Sequence, residues 1–161
     1  MQPWWITPSP VQTTNTVPWV TVTLQTLDSY LVDAQLQAYN SAALATGQTD
    51  RFTQILNSVI FDTRQNIQAS KRYLVSQTAN SVPPEAIWMV AWIILDQMQA
   101  AIPGMIWTDD QRKLIDRAYK KLDRIRSGDE VVSYPPDPMT PQNVEIAPPG
   151  SSRDRLAQAS Q

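Results

Sequence analysis

The chain has 161 residues, no cysteine, no histidine and a net charge of −2. This excludes disulfides, thiolate metal sites, thiol catalysis and histidine-based triads, and the length fits one domain with some spare chain. The acid–base balance gives no global attraction to nucleic acid or to an anionic membrane.

Prolines divide the chain. Pro3, Pro8, Pro10 and Pro18 crowd one end; Pro135, Pro136, Pro138, Pro141, Pro148 and Pro149 crowd the other. Between Trp19 and Tyr134 stand only Pro83, Pro84 and Pro103. Proline lacks an N–H and disfavours helix in the residue before it. The pattern predicts an extended N-terminal arm over 1–22, a helical domain over 23–128 and an extended C-terminal arm over 129–161. The opening residues MQPWWITPSPVQ lack the basic stretch of a signal peptide, so synthesis in the cytoplasm is expected.

Val17–Leu24 alternates weakly and is the only strand signal. Leu24, Leu27 and Leu31 share one helical face, and Leu36, Tyr39, Ala43 and Leu44 another. Two short helices with a break near Asp33, or one bent helix, follow from this, ending at Thr46–Gly47. Asp50–Leu74 carries Phe52, Ile55, Leu56, Val59, Ile60 and Ile67 at the spacing of an amphipathic helix. Thr49 is its expected N-cap, and Tyr73 and Leu74 extend its buried face.

Pro83–Pro84–Glu85 opens the next helix, since proline is favoured where a helix starts, and Glu85 complements the dipole there. Ile87, Trp88, Val90, Ala91, Ile94, Leu95 and Met98 cover more than one face, which places this helix at the centre or at a subunit contact. Its apolar run, Ala86–Leu95, is about half the length a bilayer crossing needs. Pro103–Gly104 stops it. Thr108–Asp109–Asp110–Gln111 is a capping box. The last helix then shows Leu114, Ile115, Ala118, Leu122 and Ile125 on one face and ends at Gly128. The fold class predicted is all-α, a four- to five-helix bundle with extended Pro-rich arms.

Residues for catalysis are scarce. Glu85, Glu130 and Glu145 are the only glutamates, no carboxylate pair is placed for acid–base work, and no glycine-rich phosphate loop occurs. Asp109 and Asp110 are explained by capping. Asp96 interrupts an apolar helix and either pairs with Arg72 or Arg117 or faces water. No enzyme, cofactor or metal is expected. Arg112, Lys113, Arg117, Lys120, Lys121, Arg124 and Arg126 cluster on the last helix. Asp116 and Asp123 interleave with them and can form i, i+4 pairs such as Arg112–Asp116 and Asp116–Lys120. Three readings remain open for this stretch: a solvated helix face, contact with an acidic partner, or contact with DNA phosphates.

The order of these segments resembles the phage head–tail connector proteins, also called head-completion or adaptor proteins. The likeness runs from about Leu24 to Pro138. It consists of a short helical pair, a long amphipathic helix, VPPEAIWMVAWIIL, TDDQRKLIDRAYKKLDRIRSG with Ala118 and Leu122 at packed positions, and Val131–Val132 leading into Tyr134–Pro135. The resemblance implies a structural virion protein at the neck, assembled in the host cytoplasm. It would form a homo-oligomeric ring, usually dodecameric, between the portal protein and a downstream connector or tail protein. DNA would pass through it without specific binding, and no membrane would be involved. The alternative is a small helical DNA-binding protein of phage packaging or regulation.

The arms are too polar to build a core but carry apolar anchors suited to docking on a partner. The expected partner contacts are Trp4, Trp5, Tyr134, Met139 and Ile146. Lys120, Lys121, Arg124 and Arg126 join them, because a cationic helix facing a DNA channel would grip what must slide.

Overall fold

A computed structural model describes residues 16–44 and 47–139. Within them the protein is predominantly helical, with five α-helices, two 3₁₀ turns and a sheet of two short strands. β1 (Val20–Thr21) pairs antiparallel with β2 (Ser81–Val82), Val20 opposite Val82. The weak alternation after Val17 therefore yields a strand of two residues. α1 (Leu24–Leu27) runs into a 3₁₀ turn at Asp28–Tyr30, and α2 (Asp33–Ala43) follows. The two-helix reading holds, with the break at Leu31–Val32. Leu27 and Tyr39 are buried as expected, whereas Leu44 is 88% exposed, because α2 has ended before it.

α3 (Gln48–Ala69) buries the predicted stripe of Phe52, Leu56, Val59, Ile60 and Ile67. Two local expectations fail. Gly47, at φ +84°, takes the N-cap position, and Thr49 lies in the first turn with its hydroxyl on the Ala43 carbonyl. The helix also stops at Ala69, because Lys71 adopts φ +56°, a left-handed conformation that no helix continues through. Leu74 is consequently exposed and Tyr73 only half-buried.

α4 (Ile87–Gln99) follows a 3₁₀ turn at Pro84–Ala86, with Pro84 at the favoured first position. Every residue from Met89 to Leu95 is buried, since α3 and α5 pack against α4 from two sides. The helix ends at Gln99, ahead of Pro103–Gly104, in a series of turns through Ile102. Tyr30, Trp92 and Trp107 meet edge to face in sequence, each pair of rings 6.0 Å apart. Tyr39 stacks on Phe52 at 5.7 Å, joining α2 to α3.

α5 (Asp109–Ser127) matches its sequence signals closely. The Thr108 hydroxyl accepts from the Gln111 N–H at 3.2 Å, and the Gln111 side chain accepts from the Thr108 N–H at 3.0 Å. Gln111 also exchanges two hydrogen bonds with Gln35 of α2, at 2.9 and 2.8 Å, so that a buried polar pair is fully occupied. Gly128 ends the helix at φ +82°, and a β-carbon there would stand 3.1 Å from the Arg72 side chain. Among the described residues no helix is long and apolar enough to cross a membrane.

The inner ends of both arms lie against this body. Thr16 bridges Tyr134 in parallel, and Ser76 bridges Pro138 antiparallel. The Val17 N–H donates to the Tyr134 carbonyl at 2.8 Å, and the Met139 N–H to that of Val75 at 2.7 Å. Val22 and Val132 are buried core residues.

Candidate partner-binding surface

The C-terminal half of α5 carries Lys120, Lys121, Arg124 and Arg126, and the root of the C-terminal arm runs beside it at Glu130. Lys121 is drawn inward, with its side chain 16% exposed. Its ammonium donates to the Glu85 carbonyl at 3.0 Å, lies 3.4 Å from Glu130 and sits 5.5 Å over the Trp88 ring. Arg124 is 63% exposed and pairs with the other Glu130 oxygen at 3.0 Å. Lys120 and Arg126 are exposed, and neither forms an ion pair among the described residues. The four cations expected to act together therefore separate. Two are held by Glu130, which follows the helix, and two are exposed, Arg126 at the edge of a groove that α5 forms with α3 and α4.

This changes what charge reversal should do. Lys121→Glu would set a carboxylate against Glu130 and the Glu85 carbonyl, so it should weaken the fold as well as any assembly.

The interleaved pairs also differ from the expected ones. The ion pairs on α5 are Asp109–Arg112 at 3.9 Å and Asp110–Lys113 at 3.0 Å, three residues apart rather than four. All four side chains are well exposed, so these pairs contribute little to stability. Asp96 pairs with neither Arg72 nor Arg117; it accepts from the Tyr119 hydroxyl at 3.0 Å. Arg72 instead donates to the Gly128 carbonyl at 2.6 Å.

Glu85 does more than complement a helix dipole. Its carboxylate accepts from both the N–H and the hydroxyl of Ser133, pinning the C-terminal segment to the start of α4. The Ser133 carbonyl accepts from the Trp19 indole N–H at 3.0 Å, so the N-terminal segment is tied to the same point. Tyr134 is half-buried. Its ring packs on Tyr73 at 5.9 Å, and its hydroxyl donates to the Arg72 carbonyl at 2.8 Å. Met139 is 46% exposed. Trp4, Trp5 and Ile146 lie outside the described residues.

A further polar junction, which sequence reading passed over, is built on Arg64. Its guanidinium sits 5.7 Å from the Trp19 ring centre and donates to the Ser81 carbonyl at 2.9 Å, the Thr78 carbonyl at 3.1 Å and the Ser76 carbonyl. Asp137 accepts from the Ser76 hydroxyl at 2.8 Å and from the N–H and hydroxyl of Thr78. The Ser76 hydroxyl, helped by Thr78, holds Asp137 below the ordinary carboxylate range against partial desolvation. Burial lowers the Arg64 pKa, and nearby Asp137 opposes that shift. One available signal was position: Arg64 follows Ile60 by four residues, on the border of the apolar stripe, where an arginine needs acceptors.

Two tyrosines give a solution signature. Tyr119 is pushed up to about 12, first by burial and then by its bond to Asp96; Tyr39 is pushed up to about 12 by burial and then by the Asp28 charge. In an unfolded chain tyrosine ionises near pH 10. The stability linked to these protons is therefore complete below about pH 10 and is lost as the pH rises through about 12. Of the five tyrosines, Tyr30 is also raised by burial, and phenolate absorbance should show Tyr39 and Tyr119 ionising well above pH 10 while the fold persists. Ionisation of all five near pH 10 with the fold intact would contradict these environments.

Comparison with protein-family models, curated proteins and solved structures finds no match to this chain.

Proposed function

We propose that the chain is a structural virion protein that forms a ring between the portal protein and the tail, extends the DNA channel and docks the next tail component. The observation that carries this reading is the order and punctuation of the segments, which resembles the head–tail connectors. A short helical pair precedes the long α3, a proline-opened apolar α4 and a capped, glycine-terminated α5, and an extended segment then leads into Tyr134–Pro135. The arrangement of the arm roots supports it. Trp19, Arg64, Ser76, Ser133 and Asp137 fasten both roots to one rigid body. The polar, anchor-bearing arms then start from fixed points, a geometry suited to reaching neighbouring subunits. The reading assigns no catalytic step and no cofactor.

The cationic helix takes a narrower part than its composition suggests. Glu130 occupies Lys121 and Arg124, which lessens the charge available to phosphates and favours protein contact over DNA binding. Lys120 and Arg126 are the side chains offered to an acidic neighbouring subunit. Lys120→Glu with Arg126→Glu should leave the melting temperature within about a degree or two, as exposed charges do. It should weaken assembly, most strongly at low salt, where screening is least. Native mass spectrometry across a salt series reads both effects. Unchanged assembly at all salt concentrations would remove these residues from the contact. Salt-dependent binding of the wild-type protein to duplex DNA, lost in this variant, would favour the DNA-binding alternative.

A further inference from the structure

Val32 and Ile106 form an apolar knob where α2 and α5 begin, and they are 58% and 71% exposed. The Gln35 side chain joins them: it accepts from the Val32 N–H at 3.5 Å and donates to the Ile106 carbonyl at 2.9 Å. Met105 and Trp107 are buried on either side of Ile106, so an extended backbone turns Ile106 outward between them. Exposed carboxylates follow each half of the knob: Asp33 next to Val32, and Asp109 and Asp110 just after Ile106. The pairs that Asp109 and Asp110 make with Arg112 and Lys113 are solvent-exposed and weak, so these acids stay open to a partner.

A groove of about 500 Å³ runs between α3, α4 and α5, toward the other end of α5. Val59 and Ile93 form its buried floor, Tyr119 and Leu122 line its α5 side, and Arg126 stands at its edge. Arg126 forms no ion pair among the described residues. Asp62 stands on the α3 wall. The knob matches these features in kind, with an apolar tip for the floor, carboxylates for Arg126, and Arg112 and Lys113 beside it for Asp62. One chain cannot make the match within itself, because α5 at 1.5 Å per residue holds Asp109 and Arg126 about 25 Å apart. A second copy can.

We infer that the Val32–Ile106 knob of one copy seats in the α3–α4–α5 groove of the next, with Asp109 and Asp110 facing Arg126. The two surfaces differ, so the contact is head-to-tail and repeats from copy to copy. It names the acidic surface that Arg126 meets, and it rests on the connector reading for closure of the repeat into a ring.

The chain contains no cysteine, so Ala34→Cys beside the knob and Gln65→Cys on the groove wall each place a single thiol at an exposed position. The two full-length variants are mixed and oxidised, and the mixed disulfide is followed on a non-reducing gel. The control mixture pairs Gln65→Cys with Leu44→Cys, an exposed position just past the far end of α2. At about 0.1 mM protein, thiols held by the contact at a roughly millimolar effective concentration should pair about tenfold faster than the control. Ile106→Asp should abolish the excess. Arg126→Glu on the groove copy should remove most of it, and Asp109→Arg on the knob copy should then restore it. Equal rates in the two mixtures, an excess that survives Ile106→Asp, or faster pairing of Ala34→Cys with itself, as in a two-fold contact, would overturn the inference. Rings seated on the portal without this cross-link would overturn the pairing and leave the connector reading standing. A cross-link in a protein that never joins the portal would uphold the pairing and overturn the connector reading.

Discussion

Replacing Ile94 by alanine should cost about 2–5 kcal/mol of folding free energy. Ile94 has no solvent exposure and sits mid-helix in α4, where α3 and α5 close around it. Truncation leaves a cavity that two helices must collapse together to fill. Chemical denaturation measures the loss. A change below about 0.5 kcal/mol, typical of benign surface positions, would mean that α4 is not the packed centre. Trp88 should behave differently. It is half-buried, with Lys121 over its ring, so its alanine variant loses packing and a cation–π contact but leaves a smaller void.

The second large effect should come from Arg64→Ala, at about 2–4 kcal/mol. Hydrogen bonds from a charged donor each contribute more than neutral ones, and the carbonyls of Ser76 and Ser81 would be left without this donor at part-buried positions. Trp19 would lose the cation above its ring, and Asp137 a nearby positive charge. The loss should appear locally first. Limited proteolysis should cut near residues 16–22 and 130–139 while α3, α4 and α5 remain protected. Uniform destabilisation, with no preference for these segments, would show that Arg64 does not serve as their common anchor.

The contrast between α5 and Arg64 shows what sequence conveys here. The start, buried face and end of α5 depend on residues within one or two turns of each other. Thr108 with Gln111, the Leu114–Ile125 stripe and Gly128 each state their role locally. α4 is legible for a similar reason, since an almost unbroken apolar run has nowhere to lie but the interior. The junctions that fix the arms are not local. Trp19 meets Ser133, Glu85 meets Ser133 and Ser76 meets Asp137, and no short-range pattern marks those pairs. The end of α3 is equally hidden, because nothing in the sequence marks Lys71 as the residue that turns left-handed. Among the expected contact residues, Lys121 and Arg124 read as free surface charge only until Glu130 is seen to reach both.

Electron microscopy of the purified protein, alone and mixed with its portal protein, tests the connector reading most directly. The account predicts closed rings of this chain seated on the portal, with α5 at a contact between neighbouring subunits. The arms should leave the body near Trp19 and Met139 to reach adjacent chains. Particles that stay monomeric and fail to join the portal at any salt concentration, or rings in which Lys120 and Arg126 line an open central channel, would contradict it.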